Sequence, residues 1–576
     1  MPQNSQGLPA DIIRNRRTTA ALVPAAARHQ TSTLASSPAQ RRAGDGRGSL
    51  LLLCILGLLF EGILLLALPF LPGLKVANDP LQQALPGLFP WLSLFDWTTY
   101  VPQGLHWLSS VPWFDPTHPG LGNPDLQLFL LGIAFLVYLL AAWVGGRVAR
   151  VHPSRVVTSL LFVLILFFAL LFGVTLACIP VHFSALSQDM LAYGLYGRMV
   201  VLYHVNPYVV LPQQFGHDML HQVATGAPVP PGTALYGPVW LDLSLLVALF
   251  AHDSIANLLL GFRGLGLIVH LINTLLIWYI LARIKPERRI SGTLLYAWNP
   301  VVLLLSVFVM HQEVLVILLL LLAAVFFLHN ASLMAWVFGI LAVLVNPFCL
   351  VVLPLFLFLC IRQSRMMRLA RLIPWWLVFW LVTILMVTLA YVPYWQGMGL
   401  AGLQANLLHV FWPNTNINSL DAAVLTLPVR LPANVIWLFL PQHWTLVALA
   451  LVGIFLLFSL WFANTIGLFA WCVCWIFLLL AILMPVYWPW YVLVSLALAL
   501  CCARDGTVNL TVLLSLGALL GYYCWLLQPV WPGQALLTVG LPLVVWGWVL
   551  FFTSTWRHTR ARGAAADKRK RGAVAV

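Results

Sequence analysis

Asp189 opens the stretch of this sequence richest in groups that could do chemistry. It runs Ser187-Gln188-Asp189-Met190-Leu191-Ala192-Tyr193-Gly194-Leu195-Tyr196-Gly197-Arg198 and closes with His204-Val205-Asn206-Pro207-Tyr208. Wound as a helix, Asp189, Tyr193, Tyr196 and Tyr203 share one face, while Leu191, Leu195 and Leu202 share another with Arg198 on that side. This pattern reads as an amphipathic helix lying in a membrane interface, ended by Asn206-Pro207. A carboxylate there can take a proton from an attacking hydroxyl. The plainer reading makes Ser187 or Asp189 an N-cap and Asn-Pro-Tyr a turn.

Three more clusters follow. Tyr236-Gly237-Pro238-Val239-Trp240 enters a short apolar run and suits a half-helix that pins a loop to the membrane. Trp298-Asn299-Pro300 precedes Met310-His311-Gln312-Glu313, a polar turn that can bind a phosphate or sugar, or cap helices. Pro485-Val486-Tyr487-Trp488-Pro489-Trp490-Tyr491 is either an aromatic belt or a surface for stacking against a sugar or polyprenyl chain. The nine cysteines form no CxxC and no spaced Cys/His set, which argues against a zinc site or a disulfide framework.

The elements that must position these groups are membrane spans. The chain is 62% hydrophobic and 8% charged, far from the balance of soluble domains. Ser49–Gly73, Asp125–Val144, Thr158–Ile179 and Pro374–Pro393 are apolar for about the 20 residues that cross a bilayer. The net charge of +14 sits in short clusters between such runs, so it marks topology rather than nucleic-acid binding. Arg147, Arg150 and Arg155, then Arg283, Lys285, Arg288 and Arg289, then Arg362, Arg365, Arg368 and Arg371 are expected in the cytoplasm with both basic tails.

Parity with those clusters gives about fourteen spans: 50–72, 126–144, 156–178, 256–281, 291–309, 314–329, 332–345, 347–361, 374–393, 444–462, 466–484, 488–503, 508–527 and 535–555. The pair broken at Asn346-Pro347 reads equally as one kinked span or a re-entrant pair. Parity makes 237–252 a half-helix on the outer side. The segments 74–125, 181–255 and 394–443 then face the exterior. The division expected is a disordered basic tail over 1–48, one transmembrane domain over 49–556, and a basic tail over 557–576. Of sixteen acidic residues, the exterior ones near the membrane are Asp189, Asp218, Asp242, Asp253, Glu313 and Asp421, plus Asp79, Asp96, Asp115 and Asp125.

In this order, an Asp after an early span, Asn-Pro-Tyr, Tyr-Gly-Pro-x-Trp, Trp-Asn-Pro, a polar His triad and Pro-Trp-Tyr, the chain resembles the polyprenol-phosphate-mannose-dependent α-1,6-mannopyranosyltransferases of bacterial envelopes. These belong to the GT-C membrane glycosyltransferases. The resemblance covers roughly 180–500. It departs where His-Asn-Asp is expected and His311-Gln312-Glu313 stands, a carboxylate one methylene longer. It implies an all-α GT-C-like polytopic fold with interfacial helices in 181–255, a catalytic Asp at position 189, a lipid-monophosphate sugar donor and no nucleotide sugar. The chain has no DxD motif, so a metal-bridged pyrophosphate is not indicated.

That chemistry is coherent. One carboxylate removes the acceptor proton. The phosphate leaves as a good anion without an acid partner, unlike glycoside hydrolysis with its two carboxylates. Donor groups aimed at the developing charge complete the requirement; by side and depth these are Arg198, Arg263, His311 and Arg430. Sugar or acceptor contacts fall to Tyr193, Tyr196, Asn206, Tyr208, Tyr236, Glu313, Trp488, Trp490 and Tyr491. His311 and the Asp189 helix are expected to converge on one exterior cavity with room for a sugar phosphate between them, and Glu313 to orient His311 or an acceptor hydroxyl. The expected protein is an inverting transferase of the plasma membrane, metal-independent and without cofactor. Its partners are a polyprenyl-phosphate sugar, a glycan or glycolipid acceptor and membrane lipid, and no nucleic acid. The rivals are the same chemistry on another polyprenyl-phosphate sugar, and a transporter or lipid flippase. A transporter more often places its acids mid-span, and here only Glu61 lies well inside one.

Overall fold

A computed structural model describes residues 38–67, 73–75, 124–150, 154–178, 182–184, 189–220, 232–364, 372–413, 415–425, 430–463, 465–502, 504–527 and 534–552. Most of the loop 74–125, most of the N-terminal tail and the tail 557–576 lie outside these residues. The chain is overwhelmingly helical, as the apolar runs require. Helix α1 (Pro38–Ala67) starts inside the segment read as tail. A three-residue strand β1 (Gly73–Lys75) follows, then α2 (Pro124–Arg150) and α3 (Arg155–Cys178). Strand β2 (His182–Ser184) pairs antiparallel with β1, Gly73 opposite Ser184. The reactive stretch forms α4 (Asp189–Val201), and the Tyr-Gly-Pro entry starts α5 (Pro238–Ala251).

A long α6 (Ile255–Ile284) leads to α7 (Arg289–Ala297) and α8 (Pro300–Leu303), which continues into a π-helical turn, Leu304–Phe308. Then come α9 (Glu313–Leu328), α10 (Ser332–Val345), α11 (Leu353–Ser364), α12 (Leu372–Tyr391) and α13 (Gly399–Phe411). The chain closes with α14 (Leu420–Leu425), α15 (Ala433–Leu438), α16 (Pro441–Phe462), α17 (Ile466–Leu483), α18 (Val492–Cys502), α19 (Asp505–Leu527) and α20 (Leu536–Phe552).

Among the described residues, seven helices are long and apolar enough to cross a membrane; α7 and α8, bent by 51°, make eight if counted as one span. The remaining predicted spans coincide with shorter apolar helices. At 1.5 Å per residue, the 14 residues of α10 reach about 21 Å, less than the roughly 30 Å hydrocarbon core. Helix number is therefore legible, while the number of full crossings is not set by length alone. Asn346-Pro347 does break the chain: the Asn346 side chain accepts from the Phe348 N–H and caps the turn that follows.

The interior of the bundle is apolar with a few polar cross-links. Asn299, expected as a site residue or a cap, is a cap. Its side-chain oxygen accepts from Val301 and Val302 N–H, at 2.9 and 3.3 Å, while its amide donates to Tyr138 and Ser515 hydroxyls on α2 and α19. The Trp298 indole donates to the Ile165 carbonyl of α3. Trp-Asn-Pro thus ties four helices together behind the reactive turn.

Helix α4 is a correction to the sequence reading. Met190 through Met199 are all buried, so the helix is packed inside the protein rather than half-sunk in an interface. The tyrosine face that looked polar is covered by aromatic neighbours from α5 and α6.

Candidate active site

Two glycines decide how the site assembles. At Gly197 on α4 a Cβ would stand 2.4 Å from the Ser244 carbonyl oxygen of α5, so the two backbones meet only without one. At Gly237 a Cβ would stand 2.0 Å from the Leu344 carbonyl oxygen, and the Gly237 N–H donates to Val345 at 3.0 Å. The start of α5 is thereby stitched to the end of α10. Asp189 at the mouth of α4, Tyr236 before α5 and Asn346 after α10 are drawn to one place.

The His311 turn reaches the same place from α8. The π turn Leu304–Phe308 ends at Met310, whose φ of 45° lies in the left-handed region. For a methionine this conformation costs on the order of 1–3 kcal/mol and persists because packing enforces it. The His311 N–H donates to the Leu305 carbonyl at 2.9 Å, fixing the outward step of the chain. The imidazole is buried and stacks on Trp490, centroids 4.1 Å apart and planes at 19°. Trp490 stacks in turn on Trp488 at 5.0 Å. His311 Nδ1 lies 3.3 Å from Asp189 Oδ2, with the Asp189 side chain about a quarter exposed. Helix and turn therefore converge, as expected. The space between them does not match the expectation, because direct contact leaves no room for a sugar phosphate.

Glu313 opens α9, and its Oε1 accepts from Asn346 Nδ2 at 3.4 Å while Oε2 is buried without a hydrogen bond. No hydrogen bond links it to His311, whose ring nitrogens make none. The partner of Glu313 is Asn346, which the sequence reading took only as a helix break. A signal was available: an amide inside a long apolar run needs a polar partner. Glu313, Asn346 and Tyr491 supply the polar wall of a cavity otherwise lined by side chains such as Val316, Phe348, Leu480 and Met484. Its volume is about 40 Å³, enough for a few waters.

Tyr193 packs edge-on against Tyr236 and Trp240, at 5.0 and 4.9 Å. Burial drives the Tyr193 and Tyr236 hydroxyls far above the ordinary tyrosine range, and the Asp189 and Glu313 carboxylates push both the same way. Both phenols therefore stay protonated and can donate.

Other expected residues are engaged elsewhere. Arg198 stands nine residues from Asp189, two and a half turns on, hence on the opposite face and about 13 Å along the helix. It pairs with Asp218 at 2.9 Å and Asp253 at 3.3 Å, and donates to the His252 carbonyl. This geometry turns it from the pocket and corrects its reading as a phosphate ligand. Arg263 is buried beneath the His311 turn, donating to the Phe308 and Ala177 carbonyls at 3.2 and 3.4 Å. Arg430 is exposed. Asn206 donates to the Tyr394 and Gln396 carbonyls at 2.5 and 3.1 Å, Tyr208 OH to the Tyr236 carbonyl at 2.7 Å, and Tyr196 OH to the Gly232 carbonyl at 3.0 Å. These three brace the site's outer wall.

The motif-bearing part of this arrangement can be placed. Residues 99–362 match the family model described as alpha-(1->6)-mannopyranosyltransferase, N-terminal domain. Over that stretch, a little under half of the chain, the sequence is similar to this family. The match supports a mannosyltransferase activity, the apolar helices support a membrane protein, and Asp189, His311, Glu313 and Asn346 all fall within the matched residues. Trp488, Trp490 and Tyr491 come from beyond it. No curated protein sequence matches the chain significantly.

Near the candidate site, Asp242 on α5 accepts from Tyr394 OH at 2.7 Å. Burial raises its carboxyl above the ordinary 3.8, and the Tyr394 bond only partly opposes this. A raised acid binds its proton more tightly when folded, so its stabilising contribution is full below 3.8 and is lost as pH climbs through the raised value. Asp242→Asn keeps an acceptor for Tyr394 and removes the charge. Its unfolding temperature, followed by tryptophan fluorescence in detergent, is expected to fall less than wild type's between about pH 4 and about pH 7. Parallel curves for the two proteins would remove Asp242 from this account.

Proposed function

We propose that the protein transfers mannose from a polyprenyl phosphate to a hydroxyl of an envelope glycan or glycolipid on the outer membrane face, by one inverting displacement. The observation that carries this is the Asp189–His311 contact of 3.3 Å beside the cavity lined by Glu313, Asn346 and Tyr491. Asp189, the partly exposed member, takes the acceptor proton as the oxygen attacks the anomeric carbon. The bond from that carbon to the phosphate oxygen breaks, and its electron pair leaves with the lipid phosphate. His311 orients the Asp189 carboxylate. Arg263 adds positive charge from beneath the turn. The apolar cavity wall suits a polyprenyl chain.

Orientation follows from α6. Arg263 is near the site end, and Arg283 lies twenty residues further, about 30 Å along a helix, which is one hydrocarbon thickness. The basic cluster is thus at the face opposite the site, and the positive-inside rule puts the site outside, with both termini cytoplasmic. A reporter fused at Gly216 is expected to read exterior and one at Glu287 cytoplasmic; reversed signals would overturn the orientation.

The direct test incubates purified protein with polyprenyl-phosphate mannose and α-linked manno-oligosaccharides. An added hexose in the product mass is expected, and it is expected to persist in chelator, because a monophosphate leaving group carries no pyrophosphate for a divalent ion to bridge and the Arg263 charge lies beneath the turn. Activity lost in chelator and restored by Mg²⁺ or Mn²⁺ would point instead to a pyrophosphate donor.

A further inference from the structure

The loop that carries Trp488 and Trp490 to His311 also carries Tyr487, and it is joined to a second loop. Ile417 and Val486 form a parallel bridge: Ile417 N–H donates to the Pro485 carbonyl at 2.9 Å, and Tyr487 N–H to the Ile417 carbonyl at 3.0 Å. This junction gathers Asn418, Ser419, Asp421 and Tyr487, each no more than 1% exposed. Among the described residues, both side-chain atoms of Asn418, the Ser419 hydroxyl, both Asp421 oxygens and the Tyr487 hydroxyl make no aligned hydrogen bond. Ser419, Asn416 and the N–H groups of Asp421 and Ala422 do approach the Asp421 carboxylate, without satisfying it by geometry.

Buried polar groups are almost always paired, and leaving one unpaired is costly. Four together, from two stitched loops, mark a place completed by something else. The set mixes donors with a larger number of acceptors and holds one carboxylate. That is the complement of several neutral hydroxyls rather than of an anion. A hard cation would want more oxygen charge than a single carboxylate supplies. The same loop runs from Met484 on the cavity wall to Trp490 on His311, so the patch adjoins the site.

We propose that Asn418, Ser419, Asp421 and Tyr487 form a subsite for the hydroxyl groups of the acceptor glycan, one sugar away from the residue that attacks. This rests on the mannosyl-transfer reading above. The donor, with its single sugar held at Asp189, makes no use of the subsite.

Tyr487→Phe separates this from a packing role most cleanly, since it deletes only a hydroxyl without a hydrogen-bond partner among the described residues, while Ser419→Ala also removes the approach to Asp421. If the groups merely pack, thermal stability stays equal or rises and catalysis is unchanged. The expected result is unchanged or higher thermal stability, an unchanged KM for polyprenyl-phosphate mannose, and a KM for α-1,6-mannotriose raised about tenfold, the effect of losing one hydrogen bond to a substrate hydroxyl. Asp421→Asn is expected to raise it further. Direct binding of mannotriose without donor, read by saturation-transfer NMR, is expected to weaken in parallel. Mannotriose KM and binding within twofold of wild type in all three variants would overturn the subsite, while transfer by wild type would leave the mannosyl-transfer reading standing. If wild type binds mannotriose through these residues yet transfers nothing, the subsite stands and the donor assignment falls. Loss of mannotriose binding in chelator, restored by Ca²⁺ in wild type and not in Asp421→Asn, would overturn it in favour of a cation site.

Discussion

Asp189→Asn is expected to lower mannosyl transfer by at least about 100-fold, the lower range for loss of a general base. Asn has nearly the same size and still presents an oxygen toward His311 Nδ1, 3.3 Å away in the wild type. What it loses is the negative charge and the basic lone pair, so the acceptor proton has no destination as the oxygen attacks. The packing of α4 rests largely on other groups. Helix α4 is held by Tyr193 against Tyr236 and Trp240 and by the Gly197 contact with α5, and none of these involves the carboxylate. Expression, thermal stability and affinity for polyprenyl-phosphate mannose are therefore expected to stay near wild type while kcat collapses. An Asn variant turning over at a near-normal rate would reduce Asp189 to a helix-capping residue.

His311→Ala is expected to have the second largest effect, a fall in kcat of about 100-fold. The imidazole sits between Asp189 and the Trp490 ring, buried on all sides. Its removal releases the carboxylate from a fixed direction and opens a void against Trp490. His311→Gln separates these effects, because it restores a donor and much of the volume but no charge. Recovery by Gln to within about tenfold of wild type is the expected outcome, since orientation of a base contributes through geometry more than through charge. Stability measured alongside isolates the packing part. Unchanged kcat and donor affinity in the Ala variant would take His311 out of the site, whatever its distance from Asp189.

Both residues were visible in the sequence, and the reason is the solvent. In a chain with so little charge, every carboxylate near an apolar run stands out, because placing it there is costly without a purpose. Asp189, Glu313 and the His311 turn could be named for that reason. The helices themselves were legible because an apolar run of span length has few other folds available in lipid. The alternation of such runs with arginine clusters carried the topology.

What the sequence could not determine was which polar group meets which. The tyrosine face of α4 had the local signature of an interfacial helix, yet the helix is buried because α5 and α6 bring aromatic rings over it, and helical periodicity carries no information about distant neighbours. Arg198 lay at a plausible depth, but a helix fixes its direction by residue count, and Asp218 and Asp253 were waiting on the far side. Asn346 looked like a break and proved to be the partner of Glu313. The site's composition was determined by residue types that lipid makes conspicuous. Its pairings were decided only in the tertiary structure, where glycines at 197 and 237 let backbones close to contact and so set which side chains share a cavity.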